Sequence, residues 1–491
     1  MQACDEHEQH RIFPVTDGLT DCFDCEKNRI MDYDVLIMGA GMSGLAAGIR
    51  LAYYGKKVCI VEKHHRVGGL NSFYNRKGHR FDVGLHAMTN YVSKGTRLAP
   101  LSKLLRQLKL KPEDFALYPQ RMSVIRFPTK ILRFNNDFDF FVQEVVDNFP
   151  GQTDNFRRLL KAAFEYDELN LSAKPISARE AVASIISDPL LADMIFCPLM
   201  FYGNAQENDM EFAQFVTMFK SIFCEGFARP EAGARRILDV LLRKYKGCGG
   251  ELRMKCGVRR LESANDRVES IVLQNGEVLT AATILSSAGY LETMRLLSDY
   301  DPANFEYDVG NISCMESIMV LDREIADMGY DTTIAFYSSS DRFGYRKPHD
   351  LVDVSSAVVC CPNNFQFENP LPEAMIRVTN LANFELWNKL SEEEYEAQKA
   401  AWLRTTLEEV VKFVPDFRNF IVFTDVFTPK TIRRFTGHIN GAVYGSPNKI
   451  KTGRTHLTNL FICGTDQGFL GIVGAMLSGI SMANLHVLQK T

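Results

Sequence analysis

Short apolar runs and longer amphipathic ones alternate along the chain, and their order predicts a strand–helix–strand unit near its beginning. Residues 33–38, YDVLIM, form an apolar, β-rich run. GAGMSG follows at 39–44, and LAAGIRLAYYG at 45–55 repeats apolar residues at helical spacing up to Gly55. KKVCIVE at 56–62 predicts a second buried strand that ends in Glu62. Far downstream, residues 460–463 have the pattern of another buried strand. Gly464-Thr465-Asp466, a glycine-rich turn and a helix of small residues from about Val473 come after it.

Between these ends, residues 231–246 predict a helix, a glycine turn follows, and a strand is expected to end near Val258. The stretch VESIVLQNGEVLTAATILSSAG at 268–289 predicts a hairpin turning at Asn275-Gly276, then a buried strand. Two insertions, 96–228 and 293–414, are rich in Phe and Met, most densely at 193–227. Such side chains suit either a core or the lining of a tunnel for a greasy ligand. LAPLSKLLRQLKL at 98–110 is amphipathic and basic, a pattern that fits a membrane-docking face or a solvated helix face.

Composition narrows the class. A chain of 491 residues, 46% hydrophobic and 24% charged, is ordinary for a globular protein and long enough for two or more domains. A net charge of −4 gives no general attraction for nucleic acid. The twelve cysteines are scattered and mostly sit in apolar runs, which predicts buried thiols in a reducing compartment. Residues 1–30 lack the apolar core of a secretory signal. They carry Cys4, His7, His10, Cys22 and Cys25 at spacings unlike standard zinc sites, so the segment reads as a disordered leader with no metal, and Met31 as an alternative start. Residues 467–489 contain no Lys, Arg, Asp or Glu and are long enough to cross a bilayer. Their four glycines and lack of a basic flank favour a buried turn and helix.

The chemistry begins at Gly39, Gly41 and Gly44, which stand in G-x-G-x-x-G register between a strand and a helix. Gly39 permits the turn, Gly41 lets backbone approach a pyrophosphate, and Gly44 lets helix pack on strand. Glu62, at the end of the second strand, suits ribose hydroxyls. Together they predict a dinucleotide site. No Ser/His/Asp or paired-carboxylate pattern accompanies it.

These segments resemble the phytoene desaturase branch of the FAD-dependent amine oxidase superfamily, which includes carotenoid desaturases, carotenoid isomerases and retinol-saturase-like reductases. The resemblance runs from residue 33 onward. Its most specific parts are FDVGLHAM at 81–88, PEAGARRILDVLLRKYKGCGGEL at 230–252, TPKTIRRFTGHINGAVYG at 428–445 and the glycine-rich motif after 463. In that superfamily Glu-x5-Gly-Gly follows the second strand, as Glu62 and Gly68-Gly69 do here. Leu70-Asn71 stand where many members have Arg or Lys, and His86 and Ala232 also depart from common patterns, which leaves substrate and direction open.

The resemblance implies an α/β fold: a discontinuous Rossmann-like FAD-binding domain (31–95, 229–292 and 415–491) with an inserted α+β substrate domain (96–228 and 293–414). It implies FAD contacts from Gly39, Ala40, Gly41, Met42, Ser43, Gly44, Glu62, Lys63, Gly68, Gly69, Leu70, Asn71, Val258, Gly464, Asp466, Gly471, Ile472 and Val473. Asp466 would meet a ribityl hydroxyl and the backbone at Val258 the adenine. His86 is the candidate acid or base, ahead of Asn71, Tyr202, Tyr444 and Arg433.

The implied activity is desaturation, saturation or cis–trans isomerisation of a polyene or isoprenoid lipid, with hydride transfer at the flavin. The implied setting is the cytoplasm, with peripheral contact at the cytoplasmic membrane face. The implied partner is a hydrophobic small molecule and not nucleic acid. The electron acceptor stays open. Alternatives on the same scaffold are a flavin amine oxidase, a squalene-pathway flavoenzyme and a flavin-free prenyl-lipid carrier of the Rab GDP-dissociation inhibitor type.

Overall fold

The strand–helix–strand pattern at the start of the chain forms as expected in the computed structural model, which describes residues 31–489 apart from 92, 94, 97, 98, 169, 171–173, 305 and 306. The Cys- and His-bearing leader lies outside the described residues. Two sheets organise the molecule. In chain order their strands are β1 (Tyr33–Met38), β2 (Val58–Val61), β3 (Ser123–Arg126), β4 (Ile131–Phe134), β5 (Glu251–Arg253), β6 (Ala281–Ser286), β7 (Ser313–Leu321), β8 (Ile334–Ser338), β9 (Ser356–Cys360), β10 (Ala374–Ala382), β11 (Ile421–Phe427) and β12 (Leu460–Ile462).

The first sheet is parallel throughout, in the order β12-β6-β1-β2-β5. Helices cover one of its faces and an antiparallel hairpin starting at Val258 packs on the other. That double coverage is why β1, β2 and β6 read as nearly unbroken apolar runs. The covering helices are α1 (Met42–Tyr53), α2 (Pro100–Gln107), α3 (Ala234–Gly247) and α4 (Gly471–Ala483). Two glycines set how closely they pack. A Cβ on Gly44 would lie 2.0 Å from the carbonyl oxygen of Gly39, and one on Gly479 would lie 2.0 Å from that of Ser43. Bare backbone therefore lets α1 settle on its strand and α4 settle on α1.

The second sheet is mixed, in the order β11-β7-β10-β9-β8-β3-β4. Its strands come from the two insertions, except β11, which falls in the stretch expected to belong to the nucleotide half. The Phe- and Met-rich segment 193–227 mainly fills the core beneath this sheet, where Phe196, Phe215, Phe219 and Phe223 are fully buried.

Other expectations are resolved locally. The strand expected to end near Val258 ends at Arg253, and Val258 opens the next strand instead. The leucines of the amphipathic segment, Leu101, Leu104 and Leu105, are buried against the first sheet's helices, so they form no outward membrane-docking stripe. The uncharged span near residue 480 includes the one helix among the described residues that is long and apolar enough to cross a membrane. Half of it is buried, and it packs along α1. The cysteines among the described residues are free thiols, six of the nine buried.

Candidate functional site

Both sheets contribute to one continuous cavity of about 440 Å³. At one end its wall is backbone: Gly39, Gly41, Gly68 and Gly69, with Glu62, Lys63 and Val258 beside them. In the middle it passes Leu70, Asn71, His86, Gly464, Thr465, Gly471 and Ile472. At the far end it is apolar and aromatic, walled by Phe201, Tyr202, Met218, Tyr345, Val358 and Leu381.

The glycine end follows from the turns that close the first sheet. Gly41 precedes α1 with ordinary extended backbone (φ −74°), and a Cβ built on it meets nothing within 4 Å. Its missing side chain leaves open space rather than relieving strain. Gly68 is the opposite case: φ is +111°, and a Cβ would lie 2.9 Å from the Cα of Ser72. Its N–H donates to the carbonyl of Ala40 at 2.9 Å, so the second glycine turn is stitched onto the first. The N-termini of α1 and α4 both end at the cavity, and neither has a side-chain cap. Two sets of unpaired amide N–H groups, each at the positive end of a helix, are therefore available to anionic or electron-rich atoms. Glu62 accepts the N–H of Ala40 and of His64, both at 2.8 Å, which fixes its carboxylate at the rim of this end.

The middle of the cavity carries a buried polar cluster that joins the two halves. His86 Nε2 lies 2.9 Å from Glu316 Oε1 and 3.2 Å from Thr379 Oγ1. Glu316 on β7 and Thr379 on β10 are directly opposite each other in the antiparallel register. Thr379 donates its hydroxyl hydrogen to Glu316 Oε2, and Arg377 donates from Nε to Glu316 Oε1 at 2.7 Å. Burial by itself raises the Glu316 carboxyl, but the Arg377 charge, followed by His86 and the hydrogen bonds, brings it down to about 2. Burial lowers His86 below its ordinary value, and Glu316 only partly offsets this.

The chain that holds His86 is clamped as well. Arg377 donates to the carbonyls of Leu85 and Val83 at 2.8 and 2.6 Å. Arg229 donates to those of Leu85 and His86, both at 2.7 Å, and is itself paired with Asp82 at 2.5 Å.

Most residues singled out from the sequence converge on this cavity. Gly39, Gly41, Met42, Ser43, Glu62, Lys63, Gly68, Gly69, Leu70, Asn71, His86, Val258, Gly464, Gly471 and Ile472 line it, as do Tyr202 and Tyr444. Ala40, Gly44 and Val473 stand behind the wall. Asp466 departs from expectation: it is absent from the wall, and its two oxygens accept the N–H of Ser446 and Tyr290 at 2.9 and 2.7 Å. It is a clamp between loops. Arg433 also lies off the wall, its guanidinium 5.3 Å from the ring centre of Phe384. Sequence reasoning missed Glu316, Thr379, Arg377 and Arg229. The available signal was a lone charge inside an apolar strand pattern, as in SCMESIMVL and AMIRVTNLA.

Comparison with known proteins agrees with this geometry. Residues 37–107 match the family described as the NAD(P)-binding Rossmann-like domain. The chain is 24% identical over 502 residues to prolycopene isomerase 2, chloroplastic, from an Oncidium hybrid cultivar, covering 92% of this chain and 83% of that protein. It is 22% identical to the all-trans-retinol 13,14-reductase of Danio rerio, covering 93% and 87%. It is 27% identical over 300 residues to the neurosporene-forming phytoene desaturase of Rhodobacter capsulatus, covering 54% of each.

Among solved structures, an oxidoreductase from Methanosarcina mazei superposes with a TM-score of 0.64 at 16% identity, covering 91% of this chain and 99% of that one. Cyclohexylamine oxidase from Brevibacterium oxydans superposes with a TM-score of 0.62 at 15% identity, covering 94% and 99%. The resemblance and the α/β fold class drawn from the sequence are borne out.

Proposed function

We propose that this protein is an FAD-dependent oxidoreductase that desaturates, saturates or isomerises a hydrophobic polyene or isoprenoid lipid. One observation carries the reading: a glycine-walled, amide-rich groove and an apolar, aromatic chamber are the two ends of one cavity. The glycine end fits a dinucleotide, because space beside Gly41 is open and the N-terminus of α1 faces it. Relatives named for prolycopene isomerisation, retinol reduction and phytoene desaturation support a polyene substrate.

When bound, FAD supplies a two-electron acceptor or donor at its ring. The chain does the rest. The amides at the start of α1 hold diphosphate oxygens, Glu62 accepts ribose hydroxyls, and Gly68-Gly69 keep side chains out of the path. Val258 closes the wall where an adenine would lie. The amides opening α4 at Gly471 and Ile472 favour negative charge in the middle of the cavity. Phe201, Met218, Val358 and Leu381 exclude water from the far end and give a hydrocarbon chain its contacts. His86 handles the proton that accompanies loss or gain of a double bond. Lipid delivery would bring the protein to a membrane face, by a surface other than the buried leucines of α2.

The test is anaerobic. Protein as purified should show flavin absorbance, or acquire it when FAD is added. A lycopene-type, phytoene-type or retinol-type lipid in detergent should then bleach the oxidised flavin (desaturation) or reoxidise the reduced one (saturation). Isomerisation appears as a changed polyene spectrum with neither. Colourless protein that takes up no FAD would favour a prenyl-lipid carrier and end the redox reading.

A further inference from the structure

We propose that Glu316 is the positioning residue for His86, accepting its Nε2–H so that the Nδ1 lone pair is the proton acceptor toward the cavity. This rests on the reading that His86 handles the proton. The hydrogen bonds around the Glu316 carboxylate fix the tautomer. An ionised carboxylate only accepts, so the nitrogen 2.9 Å from Glu316 Oε1 must carry the hydrogen. Thr379 has one hydroxyl hydrogen and gives it to Glu316 Oε2, so at 3.2 Å from the same ring nitrogen it too is an acceptor. Among the described residues Nδ1 has no hydrogen-bond partner. Neutral imidazole with hydrogen on Nε2 has its lone pair on Nδ1.

The surrounding charges keep that state. Glu316 from β7 is matched by Arg377 from β10, and Asp82 is matched by Arg229, whose guanidinium also holds the His86 carbonyl. Further titratable neighbours are the Cys360 thiol on β9, whose Sγ is 3.9 Å from the His86 carbonyl oxygen, and the neutral side chains of Cys314, Tyr202 and Tyr444 in the cavity wall. With both carboxylates compensated, burial favours the neutral ring.

In the desaturating direction, one substrate carbon loses a hydride, with its two electrons, to bound flavin. The neighbouring carbon loses a proton to Nδ1, and the electron pair of that C–H bond becomes the new π bond. The imidazolium formed keeps its Nε2–H on Glu316, which stabilises the positive charge at the moment it appears. In the saturating direction the same Nδ1–H is returned to carbon.

The test follows exchange of the imidazole C2 hydrogen by mass spectrometry on the full chain without and with FAD, which reports each histidine's titration. The His86 midpoint should lie below 6.5 in the wild type. It should fall further in E316Q, where the anion favouring imidazolium is gone while Arg377 and Arg229 remain. In the desaturating direction turnover needs neutral His86, so the acidic limb should move to lower pH in E316Q. In the saturating direction it needs the imidazolium, so the basic limb should move to lower pH. In either, kcat should fall about 10²-fold or more. T379V keeps the Glu316–Arg377 pair and serves if E316Q does not fold; its kcat should fall about tenfold, with thermal stability and flavin absorbance retained. A folded E316Q whose midpoint and pH limb match the wild type would overturn the proposal, as would wild-type kcat in T379V. A shifted midpoint in E316Q combined with full turnover in H86N would instead sink the reading of His86 as the proton-handling group.

Discussion

At the scale of single residues, Gly41 and Gly68 lack side chains for different reasons, and the difference can be measured. Gly41 has ordinary dihedrals and free space beside it, so Gly41→Val should cost no more than the N-cap preference for Gly over Val, about 1 kcal/mol, while abolishing flavin uptake. Differential scanning fluorimetry and the absorbance of FAD-reconstituted protein check the two halves of that statement. Gly68 would not separate them, because its positive φ strains any other residue.

Glu316 gives a second test. Its folded value of about 2 lies below the ordinary 4.5, so its stabilisation is fully present above 4.5 and disappears as pH falls through 2. Acid unfolding of the wild type should therefore be steeper between those limits than that of E316Q, whose amide does not titrate. His86 was legible in the sequence as a lone histidine in an apolar segment running on from the glycine turn. The pairing of Glu316 with Thr379 beside it was not, because they become neighbours only through the register of two strands about sixty residues apart.

At the scale of elements, the pattern was most legible where a strand is buried on both faces. β1, α1, β2 and β12 form where apolar runs and glycine stops put them, and α3 occupies the predicted helix within three residues. β5 was misplaced because it is three residues long, two of them charged, and at the edge of its sheet, so neither face imposes a pattern. The uncharged final helix is explained by its contacts rather than by a bilayer. Gly479→Leu should cost about 1–3 kcal/mol or more, since its side chain would meet the backbone of α1. Thermal melts of this variant beside Ser481→Gly, which adds no bulk at a partly buried position of α4, would show whether the helix crossing or general helix propensity sets the loss.

At the scale of the whole molecule, Asp466 shows how the cavity is kept in shape without being part of its wall. It ties the loop after β6 to residue 446, joining segments far apart in sequence. Asn at 466 can accept at one oxygen only, and its NH₂ would face the other amide. Asp466→Asn should thus lose about 1–3 kcal/mol of stability yet keep the absorbance of bound flavin, read by melting and by spectra. Loss of flavin from a protein that still melts cooperatively would return Asp466 to the cofactor.

The order in which the chain is made has a consequence of its own. β12 is the last strand added to the first sheet, and the helix after it supplies the remaining wall of the cavity. A nascent chain can therefore pair most of its strands while the greasy chamber still gapes. Such a species resembles the finished protein in shape, retains no prosthetic group, and invites aggregation or chaperone capture. Scarcity of flavin in an expressing cell should accordingly lower the yield of soluble protein through late-stage losses, leaving the rate of synthesis untouched.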